Sequence, residues 1–528
     1  MAFDQSSSGP RPPTLAKATH GSPQLRRFAS NAVWSILSIV VSLVAGLLMS
    51  PYLIRKLGED GYGIWLLAFS INGYYTVLDF GFRSAVINST AKASVSKDHH
   101  TINGVLSTAI AYTAAISILL LGVIVVFVAP RSAQLLGVSD RYADSFPLVF
   151  SLVGSGAVLS FSTNIVSGCL EGLQQYGSLR RLQTAALALR TVAYFLALWM
   201  GGKILALVLC TLGYWAALWV GYTLMLRHYF PELRLQWSLV SRSTLRDMAG
   251  YGVHTSVNTV AMIGQQQTPP IFISRSLPDA FIGYFSLPDR IVQVPIGMIR
   301  TIAEMLNPLA AEYIVQNKHE ALGRIGRLGN RYGFILYAPI ALLMLTWGPG
   351  IIHIWISQDY ADNVGPLLPY FILSTWVALA GQGASQSLLF GIRAHKWCAW
   401  GLMGEAAIVT LASIFFLKGG LVVLARWMCG AMIANRCLLS AWALCRKLGL
   451  SFFSFLWSIY GVPTLLALPV YFLLRQFSLA TPDKTWGLVF IAGVLACAYL
   501  LPAFFLCLDR DHRETVILQL RQTLRLGA

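Results

Sequence analysis

Apolar residues in this chain run unbroken for stretches of about 20, enough for a helix to cross a bilayer core of roughly 30 Å. Runs of that kind leave little choice. A soluble domain could not cover them, and a membrane barrel would alternate apolar and polar residues along each strand. Composition agrees: 56% of the 528 residues are hydrophobic and only 12% charged, where a water-facing surface carries roughly a quarter. The chain reads as an all-α polytopic membrane protein with about 14 transmembrane helices.

Where the charge sits decides what the surplus of +17 means. An even number of spans places both termini on one side. Connections on that side, with the tails, hold 25 of the 39 Lys and Arg, among them Arg26, Arg27, Arg180, Arg181, Arg324 and Arg327, while the opposite connections hold 9. By the positive-inside rule both tails are cytoplasmic. The surplus is mostly a topology signal, so nucleic acid is not an expected partner. Residues 1–30, rich in Ser, Pro, Gly and Thr with no apolar core, read as a disordered cytoplasmic tail. The eight Cys fall in spans or at their cytoplasmic ends, which points neither to disulfides nor to a metal site.

The chain also repeats itself. RKLGEDGYGIW at Arg55 matches RSLPDAFIGYF at Arg275, setting Leu57 over Leu277, Glu59 over Asp279, Gly63 over Gly283 and Trp65 over Phe285. Six predicted spans lie within that offset, so both copies face the same way, as in parallel repeats about an axis along the membrane normal. The expected architecture is two pseudo-symmetric six-helix lobes, residues 31–230 and 231–445, around a central polar cavity. Two accessory spans at 446–508 and a cytoplasmic tail at 509–528 follow. Pro51 in one copy and Pro269 with Pro270 in the other are expected to break the first helix of each hairpin.

Polar side chains at helical spacing mark faces that lipid does not touch. Arg290, Gln293, Gly297, Arg300 and Glu304 lie on one face of the eighth span. Tyr251, His254, Asn258 and Gln265 share a face of the seventh, Asn72, Thr76, Asp79 and Arg83 follow on the second, and the first has Asn31, Ser35, Ser38, Ser42 and Gly46. That last stripe reads equally well as a helix–helix seam. Arg190 and Arg290 fall near mid-bilayer, one in each lobe, where a guanidinium is unfavourable by about 2.5–3.5 kcal/mol unless hydrated or paired. Each therefore needs water, a carboxylate or an anion, and the planar fork of Arg suits a diphosphate. Arg290, Arg190, Arg300, Gln293, Asn258, Tyr251, Tyr74 and Gln265 form the candidate binding set. Asp79, Arg83, Arg300 and Glu304 form a candidate gate, either as an Asp79–Arg300 pair across the lobes or as Asp79–Arg83 and Arg300–Glu304 within them. His254 reads as a hydrogen-bonded cavity residue, and Glu405 with Arg436 as a structural bridge.

Leu53–Ala93 carries Leu57, Gly58, Tyr62 and Gly63 in a hairpin and Leu78, Asp79 and Gly81 in a Leu-Asp-x-Gly turn. Gly283, Tyr284 and Phe285 form a second hairpin, and Pro308 follows the eighth span. These features resemble polysaccharide-export flippases of the O-antigen translocase type, relatives of lipid II flippases and multidrug extruders. The resemblance covers roughly the first 310 residues well and the last two spans poorly. Gln265–Gln267 stand where that family often has an acidic residue, which leaves proton or sodium coupling open. The resemblance implies alternating-access transport of an undecaprenyl-diphosphate-linked oligosaccharide across a bacterial inner membrane. It implies no enzyme activity and no cofactor. Expected partners are the lipid-linked substrate, membrane lipids, and a polysaccharide polymerase or other assembly proteins, with the transporter acting as a monomer. Two other readings compete. A multidrug or cation exporter should line its cavity with acid, and a membrane glycosyltransferase or polymerase needs carboxylates or His on a sizeable external loop, whereas the external connections here are short.

Overall fold

The computed structural model describes residues 23–75, 81–304, 306–392, 394, 396–477, 485–510 and 512–514. Among these there are helices and no strand. In chain order the principal ones are α1 (Pro23–Tyr75), α2 (Phe82–Val95), α3 (His99–Val123), α4 (Phe146–Gly172), α5 (Tyr176–Trp199) and α6 (Ile204–Tyr229). The second half contributes α7 (Arg242–Ser276), α8 (Ala280–Glu304), α9 (Leu306–Val315), α10 (His319–Trp355), α11 (Leu368–Gln382) and α12 (Ala384–Gly391). It continues with α13 (Lys396–Phe415), α14 (Leu421–Met432), α15 (Ser440–Leu448), α16 (Phe452–Phe477) and α17 (Thr485–Cys507).

Eight helices among the described residues are long and apolar enough to cross a membrane on length and composition alone. The other predicted segments fall on helices that are shorter, broken or more polar, such as α7 and α8. The chain is a multi-pass helical membrane protein built as two bundles. One apolar cluster is confined to residues 82–249 and a second to 306–460. The largest joins both bundles, uniting Met49–Ala68 of α1 with Ile273–Ile296 of α7 and α8. Bundles that share a core at the hairpin end and keep separate cores elsewhere leave room for a cleft. Helices α16 and α17 pack on α10, on the second bundle.

Two helical hairpins position everything that follows. α1 turns at Gly58, whose φ of 76° and ψ of 169° are open to glycine and strained for any other residue. The matching turn after α7 lies at Leu277, Pro278 and Asp279. Here the structure corrects an expectation, because neither helix breaks at its prolines. α1 runs on through Pro51 and α7 through Pro269 and Pro270. A proline removes one N–H and frees the carbonyl four residues earlier, a loss a packed helix can absorb locally. The Oγ of Ser50 donates to the Gly46 carbonyl at 3.0 Å, one residue from the acceptor that Pro51 frees. In α7 the freed carbonyls are those of Gln265 and Gln266.

Candidate functional site

The repeated sequence turns out to be a lock between the bundles. A Cβ on Gly63 would lie 1.9 Å from the Asp279 carbonyl oxygen, and one on Gly283 would meet Tyr62 Cδ1 at 3.1 Å and the Tyr360 hydroxyl at 2.5 Å. Each hairpin glycine thus lets the other hairpin in. The acidic pair of the repeat is used as well. Glu59 accepts a hydrogen bond from the Tyr284 hydroxyl of the other bundle, and Asp279 accepts one from the Ser139 N–H at 3.4 Å. Burial holds the Asp279 carboxyl above its usual range, opposed by that hydrogen bond. Lower down, the Tyr74 hydroxyl of α1 bonds Thr268 of α7.

Arg290 lies just inside this lock. It donates from Nη1 to the Tyr62 hydroxyl at 3.3 Å and sits 5.7 Å from the Trp65 ring centroid, both groups belonging to the first bundle. Its other side faces a cavity of about 220 Å³ between the bundles, lined by Ser70, Gln265, Gln266, Phe285 and Asp289 among others. Asp289 neighbours Arg290 in the chain yet forms no ion pair with it, and accepts instead from Gln293 at 3.3 Å. The α-helical offset of about 100° between successive residues explains why.

Gln265 and Gln266 also line a second, larger cavity of about 520 Å³ inside the second bundle. Its wall carries Gln293 and Arg300 from α8, Gln382 and Gln386 near the α11–α12 junction, and Asn435 and Arg436. The last two lie on a π-helical segment, Ile433–Leu439, between α14 and α15. Such a wide turn re-aims side chains and often marks function. It fits because its neighbours are glycines: a Cβ on Gly381 would fall 1.5 Å from the Arg436 carbonyl oxygen, and one on Gly401 would fall 1.9 Å from Asn435 Oδ1.

Arg436 binds Glu405 through both prongs, Nε to Oε2 at 3.0 Å and Nη2 to Oε1 at 2.7 Å, and Asn435 adds a third donor to that carboxylate at 2.7 Å. The predicted bridge is therefore present. It also reaches further than expected, because Arg436 donates to the amide oxygens of Gln265 at 2.7 Å and Gln382 at 2.9 Å. Arg300 differs. It has no ion-pair or hydrogen-bond partner among the described residues, and its guanidinium belongs to a helix face that looks into the cavity.

The remaining expectations divide. Gln265, Gln293, Arg290 and Arg300 converge on the two adjoining cavities. Arg190 stands elsewhere. It is half-buried between α5 and α6, 4.5 Å from the Tyr214 ring centroid and 5.6 Å from that of Tyr194, without a carboxylate among the described residues. The aromatic faces give it the negative surroundings that the sequence reading assigned to an anion. Arg83 donates to Glu171 of α4 at 2.7 Å, a partner the gate hypothesis did not consider. Asp79 lies outside the described residues, as do the side chains of Tyr251, His254, Asn258 and Glu304, so the two gate pairings are not decided. Sequence reasoning missed Gln382, Gln386 and the aromatic support of Arg290 by Trp65. A glutamine in an otherwise apolar segment was the available signal.

A hallmark shared along the chain now fits this geometry. Residues 28–314, more than half of the chain, match the family described as polysaccharide biosynthesis protein. The chain belongs to that family. Over 540 aligned residues it is 21% identical to EpsK, an uncharacterized membrane protein of Bacillus subtilis (strain 168), covering 94% of this chain and 99% of EpsK. A Shigella flexneri protein named as an O-antigen transporter is 24% identical over 148 residues, 28% of this chain and 34% of that one. Among solved structures, the lipid II flippase MurJ in an inward closed conformation superposes with a TM-score of 0.69 at 12% identity, over 90% of this chain and 98% of MurJ. A multidrug resistance MATE family transporter in an inward-facing conformation gives 0.62 at 13% identity, over 78% and 95%. The fold is that of the superfamily to which the MATE transporter belongs. Family and fold together make this polysaccharide biosynthesis protein a multi-pass helical membrane protein with the fold shared by that flippase and that transporter.

Proposed function

We propose that the protein is an alternating-access flippase that carries an undecaprenyl-diphosphate-linked oligosaccharide across the bacterial inner membrane for surface polysaccharide synthesis. The observation that carries this reading is Arg300, a guanidinium without an ion-pair or hydrogen-bond partner among the described residues, in the wall of a cavity of about 520 Å³. One diphosphate headgroup would supply the anion it lacks. Both termini are cytoplasmic in this reading, so the hairpin lock seals the outer face and the cavity faces inward. The lobes at residues 31–230 and 231–445 rock about the lock, with the spans at 446–508 attached to the second. Arg290 then serves twice, as a contact for substrate and as a strut against Tyr62 and Trp65.

Proton or sodium coupling, and a polymerase working beside the transporter, fit the same scheme. Asp289 is the one feature of the wall that favours cation export instead. Disrupting the gene tests the two together. Lipid-linked oligosaccharide should accumulate in the inner leaflet and a surface glycan should disappear, with sensitivity to cationic dyes unchanged. Normal surface glycan with dye hypersensitivity would instead establish the exporter.

A further inference from the structure

The larger cavity has a chemical character that the diphosphate does not explain. The charge of Arg436 in its wall is neutralised from behind, because Glu405, with 0% of its side chain exposed, takes both prongs of that guanidinium. What that pair leaves behind is a set of aimed amides. Gln265 and Gln382 each give their oxygen to Arg436, which turns their NH2 groups away from the guanidinium, with no acceptor among the described residues. Pro269 and Pro270 have no N–H to give the carbonyls of Gln265 and Gln266, so the helical ladder of α7 lacks two bonds beside this wall. Gln386 adds an amide able to donate and accept, and Phe390 supplies an exposed aromatic ring at the cavity's edge. Amide donors and acceptors beside an aromatic ring match the vicinal hydroxyls of sugars, with the Arg300 guanidinium in the same wall. A volume of about 520 Å³ falls within the roughly 300–1,000 Å³ of sites that enclose whole ligands.

We infer that this second-bundle cavity is a saccharide subsite that holds the uncharged, hydroxyl-rich part of the headgroup, with Arg300 in its wall taking the phosphate end. The inference rests on the export reading and adds to it where the sugar sits and which residues read it. Among the described residues, every side chain that lines the subsite belongs to the second bundle. Discrimination between glycans therefore belongs to α7, α11 and α12, and recognition of the diphosphate to the arginines of α8.

The test uses the full-length protein in lipid nanodiscs and two probes, undecaprenyl diphosphate alone and lipid-linked oligosaccharide extracted from the source membranes. Wild type should bind the glycosylated lipid at least about tenfold more tightly than the bare one, the sum of two or three net hydrogen bonds. Gln386→Leu should cut that advantage several-fold, and Gln382→Leu with Gln386→Leu should bring it within about twofold of unity, with affinity for the bare lipid unchanged. Gln386 makes no bond to Arg436, so the single variant still reports if the double variant fails to fold. An advantage that survives Gln386→Leu intact would overturn the subsite. Equal binding of both probes by wild type would overturn it too while leaving diphosphate recognition standing, whereas binding of neither would remove the export reading and the subsite together.

Discussion

The two bundles share a sequence repeat and treat their cations in opposite ways. In the first, Arg83 is paired with Glu171 and Arg190 is held between two tyrosine rings. In the second, Arg436 in the cavity wall is paired with the buried Glu405, and Arg300 in the same wall has no partner among the described residues. A repeat therefore conserves how the hairpins dock and says little about which copy holds the site. Asymmetry of this kind suits a transporter that must grip its cargo on one side and swing the other.

Removing the acid from each bundle's pair sharpens that contrast most. Glu405→Ala leaves Arg436 buried and uncompensated, so a loss of about 3–5 kcal/mol is expected, seen as a large fall in Tm or failure to accumulate folded protein. Glu171→Ala breaks a pair whose Arg83 side chain is 36% exposed, and about 1 kcal/mol or less should be lost. Equal falls in Tm would erase the distinction between the bundles.

The lock comes next. Gly63→Ala cannot keep its contact with the Asp279 carbonyl, so the hairpins must part. A cysteine introduced by Ala280→Cys, buried beside Asp279 in the lock, should then label from outside at least about tenfold faster with a membrane-impermeant maleimide. Tyr284→Phe deletes only the bond to Glu59 and should speed the same labelling by a few-fold. Unchanged labelling in Gly63→Ala would mean the lock is not what closes the outer face. The smallest effect is reserved for Arg190. Arg190→Gln should leave transport within about twofold of wild type, because neither cavity wall contains it. A near-complete loss would restore Arg190 to the site and return the two bundles to equivalence.

Much of this was legible in the residues because it obeys short-range rules. Apolar run length gave helices and membrane, and the repeat at Arg55 and Arg275 gave the paired hairpins. The rhythm of Arg290, Gln293 and Arg300 gave one wet face of α8. Other features depend on what packs across a gap, and one strand of sequence does not contain that. Arg190 looked equivalent to Arg290 by depth, yet its surroundings are set by Tyr194 four residues along and by Tyr214 on the next helix. Pro51, Pro269 and Pro270 looked like breaks, and packing kept the helices intact. The approach of the π-helical segment to Gly381 and Gly401 joins residues far apart in the chain, so the amide-lined wall emerged only in three dimensions.

The most direct test follows translocation of undecaprenyl-diphosphate-linked oligosaccharide in proteoliposomes for wild type, Arg300→Ala and Arg300→Lys. With a phosphate held by a guanidinium that has no partner among the described residues, Ala should cost about tenfold or more in rate and Lys should recover part of it, as loss of a charge-assisted bond predicts. Wild-type rates in Arg300→Ala would contradict anion capture in the second bundle.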